Sequence, residues 1–294
     1  MKEAFRQLIK KINNYDSRFY QDLAFLLLSD AIHSQKLGKL LHFNFVNGDR
    51  KTFLSHFSLN ISKDKPIATP ILPLGKYAEK LIAFYFKAHS GYELFGANIQ
   101  LIKDKITLGE LDFLLRNLAT EENIHLEFAL KYYLLVNERG KQIYLGPSTK
   151  DRLSKKLAHL KNHQLRLLEK HKRLLPSSLQ KIDFRAEYSI KGCLFYPFKL
   201  WESMQEVNLF NQGWWMDKEE FSDCKKLQTF HFSLIESRKN WIFPFRFELK
   251  RYSHDQIDQI IDTALQQKNE MMVVRWGGEE VIDRGMIMRT NWPN

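Results

Sequence analysis

The stretch GELDFLLRNLATEENIHLEFALKYY, residues 109–133, decides the fold that the sequence predicts. Apolar and polar residues alternate on each side of the polar loop "LATEEN", which is typical of two β-strands joined by a turn. The alternation places Asp112 on one strand, and Glu127 and Lys131 on the other, opposite the faces that carry the core residues. If the strands pair antiparallel, the two polar faces coincide. The sequence therefore predicts charged side chains grouped on one face of a sheet.

Further elements are predicted on both sides of these two strands. A helix over 74–89 and a strand over 92–102 precede them, and the strand over 92–102 turns at "KDK" into the strand that contains Asp112. A helix from near Thr149 to near Lys172 and a strand over 186–198 follow them. Ser148 and Asp151 have the spacing of a capping box at the start of the second helix. The order is helix, three strands, helix, strand, which indicates an α/β fold.

Three consecutive domains are expected along the chain. Residues 1–70 are mostly helical in pattern and predict an N-terminal helical cap. The segment "KDKPIATPILPLG" then places three prolines in an extended connection. Residues 71–200 form the predicted α/β core, and residues 201–294 a C-terminal α+β extension. This extension contains a helix over 253–267 and a hairpin that turns at Gly277 and Gly278.

Composition indicates a folded protein, since 44% of the 294 residues are hydrophobic and 27% are charged. No apolar run approaches the roughly 20 residues of a membrane span, and the basic opening segment is not followed by the apolar core of a secretory signal. We therefore expect a cytoplasmic protein without membrane partners. Cys193 and Cys224 lack the spacing of a disulfide framework or a thiolate zinc site, so both are expected to be buried free thiols.

The basic charge is concentrated in one segment. Residues 150–191 hold twelve Lys and Arg against four Asp and Glu, a net of +8 of the total +11. Basic residues bind polyanions by releasing the counterions of the phosphates, so the expected partner is nucleic acid, DNA in preference to RNA. The candidate contacts are Lys150, Arg152, Lys155, Lys156 and Lys161. The alternative interpretation is a solvated helix face.

Two polar residues interrupt apolar rows of the predicted helices. Glu79 lies in the row that contains Ile82 and Phe86, so its carboxylate faces inward or sideways. Desolvating a carboxylate without a cation or strong donors costs several kcal/mol, which favours a ligand role for Glu79. Gln164 continues the apolar stripe that includes Leu160, and it is interpreted either as a satisfied core amide or as a site residue.

Five segments carry a resemblance to known proteins: "LGKYAEKL", "GELDFLL", "HLEFALKYYL", "GPSTKDRLSKKLAHLKNHQLRLL" and "GCLFYP". Over residues 74–198 the chain resembles the PD-(D/E)XK nuclease superfamily. Over most of its length it resembles more closely a bacterial family catalogued only as a domain of unknown function and assigned to that superfamily. The resemblance implies a restriction-endonuclease-like core, in which helices flank a mixed central sheet.

The resemblance also implies site roles and a reaction, the metal-dependent hydrolysis of phosphodiester bonds in nucleic acid. Asp112 and Glu127 would bind magnesium, with manganese as a substitute, and Glu79 would assist. Lys131 would lie near the attacking water, and Gln164 would act from the following helix. Oxygen ligands suit magnesium better than histidine or cysteine does, so the residue types agree with this metal.

One departure from the superfamily pattern keeps other functions open. The acid and the lysine are usually two residues apart, roughly 6.6 Å along a strand, whereas Glu127 and Lys131 are four apart, roughly 13 Å. Ala129 occupies the intervening position. The alternative function is therefore a nucleic-acid-binding protein that keeps the nuclease fold without turnover. A third alternative is a structural or interaction role, in which the acids only form ion pairs.

Overall fold

The computed structural model describes residues 2–33, 41–46, 48–61, 72–88 and 91–293. The helices in these ranges are α1 Lys2–Asn13, α2 Arg18–Leu28, α3 Arg50–Ile61, α4 Leu74–Ala88, α5 Leu153–His159, α6 Leu165–His171, α7 Ser177–Gln180, α8 Phe198–Ser203, α9 Lys218–Asp223 and α10 His254–Leu265. A π-helical turn, Leu160–Gln164, joins α5 to α6. The strands are β1 Leu41–His42, β2 Tyr92–Lys103, β3 Ile106–Asn117, β4 Asn123–Glu138, β5 Lys141–Leu145, β6 Arg185–Pro197, β7 Gln212–Asp217, β8 His231–Ile235, β9 Tyr252–Ser253, β10 Glu270–Gly277 and β11 Glu280–Met288.

The chain divides into two compact units, each built from non-consecutive segments. The first unit comprises Met1–Asp30, Lys131–Leu153 and Gly192–Asn294, and the second comprises Ala31–Leu130 and Ser154–Lys191. Strands β4 and β6 each contribute residues to both units. The sequence predicted three consecutive domains, whereas these units are interleaved along the chain.

In the second unit, β2 and β3 form an antiparallel hairpin and β3 pairs antiparallel with β4. Strand β1 pairs parallel with β6. Helix α4 packs on the hairpin through Phe86, whose ring contacts Tyr92 and Phe113. Helix α6 contributes Leu167 and Leu168 to a buried cluster with leucines of β2 and β3. Parallel and antiparallel pairing with flanking helices confirms the predicted α/β class with a mixed sheet.

In the first unit, β7 pairs parallel with β6 and β11, and β11, β10, β8 and β9 pair antiparallel in succession. The end of β4 pairs antiparallel with β5. The predicted hairpin at Gly277 and Gly278 is confirmed, since β10 and β11 pair as far as Gly277 and Glu280. The predicted helix near residue 253 is confirmed as α10, which begins with a capping box between Ser253 and Gln256.

The predicted start of the helix after β5 is wrong. Helix α5 begins at Leu153, four residues beyond Thr149, so Ser148 and Asp151 do not form its capping box. The backbone turns before the helix instead, since Gly146 N donates to the carbonyl of Asp151 at 2.8 Å. Thr149 has a φ of 62°, which is the left-handed region and excludes a right-handed helix there.

Gly109 lets a helix approach β3 closely. A Cβ atom at this position would lie 2.5 Å from Cδ1 of Leu167 on α6, well inside van der Waals contact. The absence of a side chain therefore allows α6 to pack beside the acidic residues that follow Gly109 on β3.

Two expectations from composition can be compared with the structure. Both cysteines are free thiols as predicted, and Cys193 is buried as predicted. The predicted burial of Cys224 is wrong, since this residue is half-buried. Across the described ranges, no helix combines the length and the apolar character that crossing a bilayer requires.

Candidate metal centre

Asp112 lies where the ladder between β3 and β4 ends. The ladder begins with the pair Arg116 and Asn123 and ends with the pair Phe113 and Leu126. Beyond them, the backbone amide of Phe128 donates to Oδ2 of Asp112 at 2.8 Å, so a side chain receives a hydrogen bond that a backbone carbonyl would otherwise accept. The two strands thereby fix the position of this buried carboxyl, which is 7% exposed.

Glu127, on β4, is fully buried and accepts two side-chain hydrogen bonds. Nε2 of Gln164 donates to its Oε2 at 2.7 Å, and Nε2 of His125 lies 2.9 Å from its Oε1. Nζ of Lys156 donates to Oε1 of Gln164 at 2.8 Å. Because an ammonium can only donate, the oxygen of the amide must face Lys156 and its nitrogen must face Glu127. The helical segment after β5 thus fixes the orientation of a strand carboxylate.

His125 contributes a neutral donor. Burial lowers the pKa of His125 to about 4, so the ring is uncharged at neutral pH. A proton on Nε2 makes the ring a donor to the carboxylate of Glu127 and leaves Nδ1, which has no hydrogen-bond partner, as a bare acceptor. The opposite tautomer would bury an unsatisfied N–H, which is costly.

Burial raises the pKa of Asp112 to about 8, and the nearby carboxyl of Glu127 acts in the same direction. Burial likewise raises the pKa of Glu127 to about 8, against the opposing effect of Lys156. Within the described part of the chain, neither carboxyl is in ion-pair contact with a lysine or arginine. We call Asp112 and Glu127 the inner pair; it consists of two buried acids whose raised pKa values disfavour their charged forms unless a cation is supplied.

A second pair of acids, Glu79 on α4 and Glu110 on β3, forms the outer pair. Nζ of Lys76 lies 2.7 Å from a carboxylate oxygen of each. With its amide nitrogen turned toward these acids, Asn98 also donates to both, at 3.0 and 3.1 Å. Carboxylate oxygens of Glu79, Glu110 and Asp112 all lie within 4.8 Å of one another. The outer pair therefore adjoins the inner pair, and the single charge of Lys76 compensates part of its negative charge.

The structure brings together four of the predicted site residues: Glu79, Asp112, Glu127 and Gln164. No role was predicted from the sequence for Glu110 or His125, although each lies two residues before a predicted ligand and hence on the same strand face. No role was predicted for Lys76 either. Its side chain is 49% exposed, but it lies one turn before Glu79, within reach of that carboxylate.

Lys131 has a different partner from the one that the resemblance implies. Its ammonium forms a 2.6 Å ion pair with Asp151, and both side chains are about one-third exposed. Both residues belong to the first unit. The role of Lys131 beside the attacking water stays a prediction.

Most of the predicted nucleic-acid contacts are accessible to solvent. Three of the lysines are exposed: Lys150, Lys155 and Lys161. Arg152 is held by Glu138 through two hydrogen bonds of 2.8 Å. Lys156 is half-buried and donates to Gln164, which contacts the inner pair. The five basic residues are thus not equivalent, because two of them have defined partners within the protein.

Comparison with known proteins gives one match. No curated protein and no solved structure matches this chain. A family model matches residues 22–284, which is most of the sequence and contains both pairs of acids. The chain therefore belongs to the family described as Domain of unknown function (DUF1853).

Proposed function

We propose that this protein is a metal-dependent nuclease of the PD-(D/E)XK superfamily, which hydrolyses phosphodiester bonds in nucleic acid. The observation that carries the proposal is the inner pair: Asp112 and Glu127 are 7% and 0% exposed, and their pKa values are both raised to about 8. Burying two carboxylates together costs several kcal/mol without a compensating cation. A bound divalent cation would supply that compensation.

The chemistry of the inner pair fits magnesium or manganese. Its ligand atoms are carboxylate oxygens, which these hard cations prefer. One oxygen of Asp112 accepts the amide of Phe128, while the other accepts no hydrogen bond from any described residue. His125 is given a positioning role here, because its Nε2 atom contacts Glu127. The proposal therefore assigns the metal to the carboxylate oxygens of the inner pair.

Each residue of the proposed centre has a defined task. Asp112 and Glu127 would hold the metal, and bound magnesium supplies Lewis acidity toward water and the scissile phosphate. The Phe128 amide fixes Asp112, while Gln164 and His125 fix Glu127. Such outer hydrogen bonds orient ligands and tune affinity, so these donors are part of the proposed site.

The surface charge supports a polyanionic substrate. The net charge is +11, and the exposed Lys155 and Lys161 lie on the same helical segment as Gln164. Lysines that neutralise phosphates provide affinity without sequence preference. We propose DNA, in preference to RNA, as the substrate.

A specific contact favours the second candidate, a nucleic-acid-binding protein without turnover. The ammonium of Lys131, to which the resemblance assigns a catalytic role, is paired with Asp151 at 2.6 Å. A lysine held by a carboxylate is less available to a phosphate. This alternative predicts binding of nucleic acid and metal without cleavage.

The test is a cleavage assay on single-stranded and duplex DNA and RNA, linear and circular, in Mg²⁺, Mn²⁺ or EDTA. We expect wild-type cleavage that needs metal and is lost in Asp112→Asn. The matched control is Asp104→Asn, since Asp104 is an exposed residue in the turn between β2 and β3, the hairpin that also contains Asp112. Binding without cleavage would select the second candidate. A protein that neither binds nor cleaves nucleic acid would contradict both.

A further inference from the structure

Two hydrogen bonds connect Lys156, on α5, to the inner pair. Its ammonium donates to Oε1 of Gln164 at 2.8 Å, and Nε2 of the same amide donates to Glu127 at 2.7 Å. Lys156 also favours the charged forms of both Glu127 and Glu79, which lie on different elements. Its positive charge therefore acts on an acid of a strand and on an acid of a helix.

The π-helical turn explains how Lys156 and Gln164 meet. In a regular α-helix, residues eight apart differ by about 80° around the axis, because each residue turns about 100°. The π turn at Leu160–Gln164 accommodates one extra residue, which reduces the difference to about 20°. Lys156 and Gln164 thus lie on one face of the helical segment. π turns occur frequently at functional sites, which agrees with this placement.

The strand itself carries no cation at the usual position. Ala129 stands two residues after Glu127, where the resemblance would place the lysine, and Lys131 is paired with Asp151. A positive charge near the inner pair therefore has to come from another element. Lys156 supplies one through the contacts described above.

We propose that Lys156, rather than Lys131, is the lysine that contacts a phosphate oxygen of nucleic acid bound at the inner pair. This role rests on the proposed function. Lys156 acts as an electrostatic stabiliser of the phosphate, and through Gln164 it also fixes the orientation of Glu127.

The test compares wild type with Lys156→Gln, Lys156→Arg and Lys131→Gln. Affinity for duplex DNA is measured against salt concentration in Ca²⁺, and cleavage is measured separately in Mg²⁺. One lost phosphate contact lowers the slope of log affinity against log salt by about 0.9. We expect this loss in Lys156→Gln, together with a fall in kcat of about 10²-fold. Lys156→Arg should keep the slope, and Lys131→Gln should leave it unchanged.

The outcomes separate this role from the proposed function. The role of Lys156 would be overturned if Lys156→Gln kept the wild-type slope, or if the slope fell in Lys131→Gln and not in Lys156→Gln. Either result would overturn it even if the protein cleaves DNA. Wild-type protein that binds DNA without cleaving it would overturn the nuclease proposal, while the comparison of slopes still decides the role of Lys156. Wild-type protein that does not bind DNA would overturn both. Thermal unfolding of each variant shows whether it is folded.

Discussion

The side-chain amide of Gln164 donates a 2.7 Å hydrogen bond to Glu127, and this contact joins a helical segment to the central strand of the candidate site. Lys156 sets the orientation of the amide from its other side. Donors of this kind fix the rotamer of a metal-binding carboxylate. Gln164 is therefore a positioning residue of the proposed centre, although it does not itself offer a ligand atom to the metal.

Replacing Gln164 with methionine keeps the length of the side chain and removes both hydrogen bonds. We expect Gln164→Met to weaken Mn²⁺ binding by about 10- to 100-fold, because Glu127 loses a donor that orients it. Isothermal titration calorimetry measures the change. Asn162→Ala is the control, since Asn162 is exposed on the same π turn. Equal Mn²⁺ affinities in Gln164→Met and wild type would show that Gln164 does not position a metal ligand.

Stability without metal should fall as pH rises from about 6.5 to about 8. The pKa values of Asp112 and Glu127 are raised to about 8 in the folded state, far above their unfolded values near 4. The folded state therefore binds more protons in this range, and the free energy of unfolding declines with pH by about 3 kcal/mol for the two groups together. The pKa of His125, lowered to about 4 from 6.5, acts with the opposite sign, and this contribution is complete by about pH 7.5.

Urea unfolding in EDTA at pH 6.5 and pH 8 measures this decline. The double variant Asp112→Asn, Glu127→Gln should lose most of the decline, because it lacks both titrating groups. A decline of equal size in wild type and double variant would assign the pH dependence to other residues.

Gly192 is expected to tolerate no side chain. Its φ is +130°, and a Cβ atom there would lie 1.7 Å from the carbonyl oxygen of Lys131. Gly192→Ala should lower the free energy of unfolding by about 3 kcal/mol or more, because backbone has to move. Gly140→Ala is the control, since its φ of +79° is also left-handed but nothing lies within 4 Å of the added atom. That change should cost about 1 kcal/mol. If denaturant titrations gave the same loss of unfolding free energy for both variants, the close approach of Gly192 to the carbonyl of Lys131 would be contradicted.

The exposed lysines should contribute more to DNA affinity than Arg152 does. The double variant in which glutamine replaces both Lys155 and Lys161 should have a slope of log affinity against log salt that is lower by about 1.8. This value corresponds to the loss of two phosphate contacts. Arg152→Gln should change it less, because Arg152 is held by Glu138. Fluorescence anisotropy at several salt concentrations gives the slopes. A larger effect of Arg152→Gln would show that it leaves Glu138 to bind DNA.

The hairpin and the third strand could be predicted from the sequence, because alternation of apolar and polar residues is a local signal. The turn at "KDK" and the strand that begins at Asn123 both occur in the structure. The same alternation placed Asp112 and Glu127 on adjacent polar faces. These features depend on residues close together in the chain.

Long-range and non-periodic features could not be predicted in this way. The π turn breaks the regular helical period that was used to place Gln164. The pairing of Lys76 with Glu110 joins residues 34 apart, and that of Lys131 with Asp151 depends on a turn with a left-handed Thr149. The interleaved units arise from strands that contribute to both, which no local pattern encodes.

Titration of Mn²⁺ into metal-free protein at pH 8 tests most directly whether the inner pair is a metal centre. The proposal predicts that wild type binds Mn²⁺, that Asp112→Asn and Glu127→Gln each lose this binding while remaining folded in thermal unfolding, and that Asp104→Asn binds as wild type does. Wild-type protein that takes up no Mn²⁺, or an Asp112→Asn variant that binds it with unchanged affinity, would contradict the metal centre and the nuclease built on it.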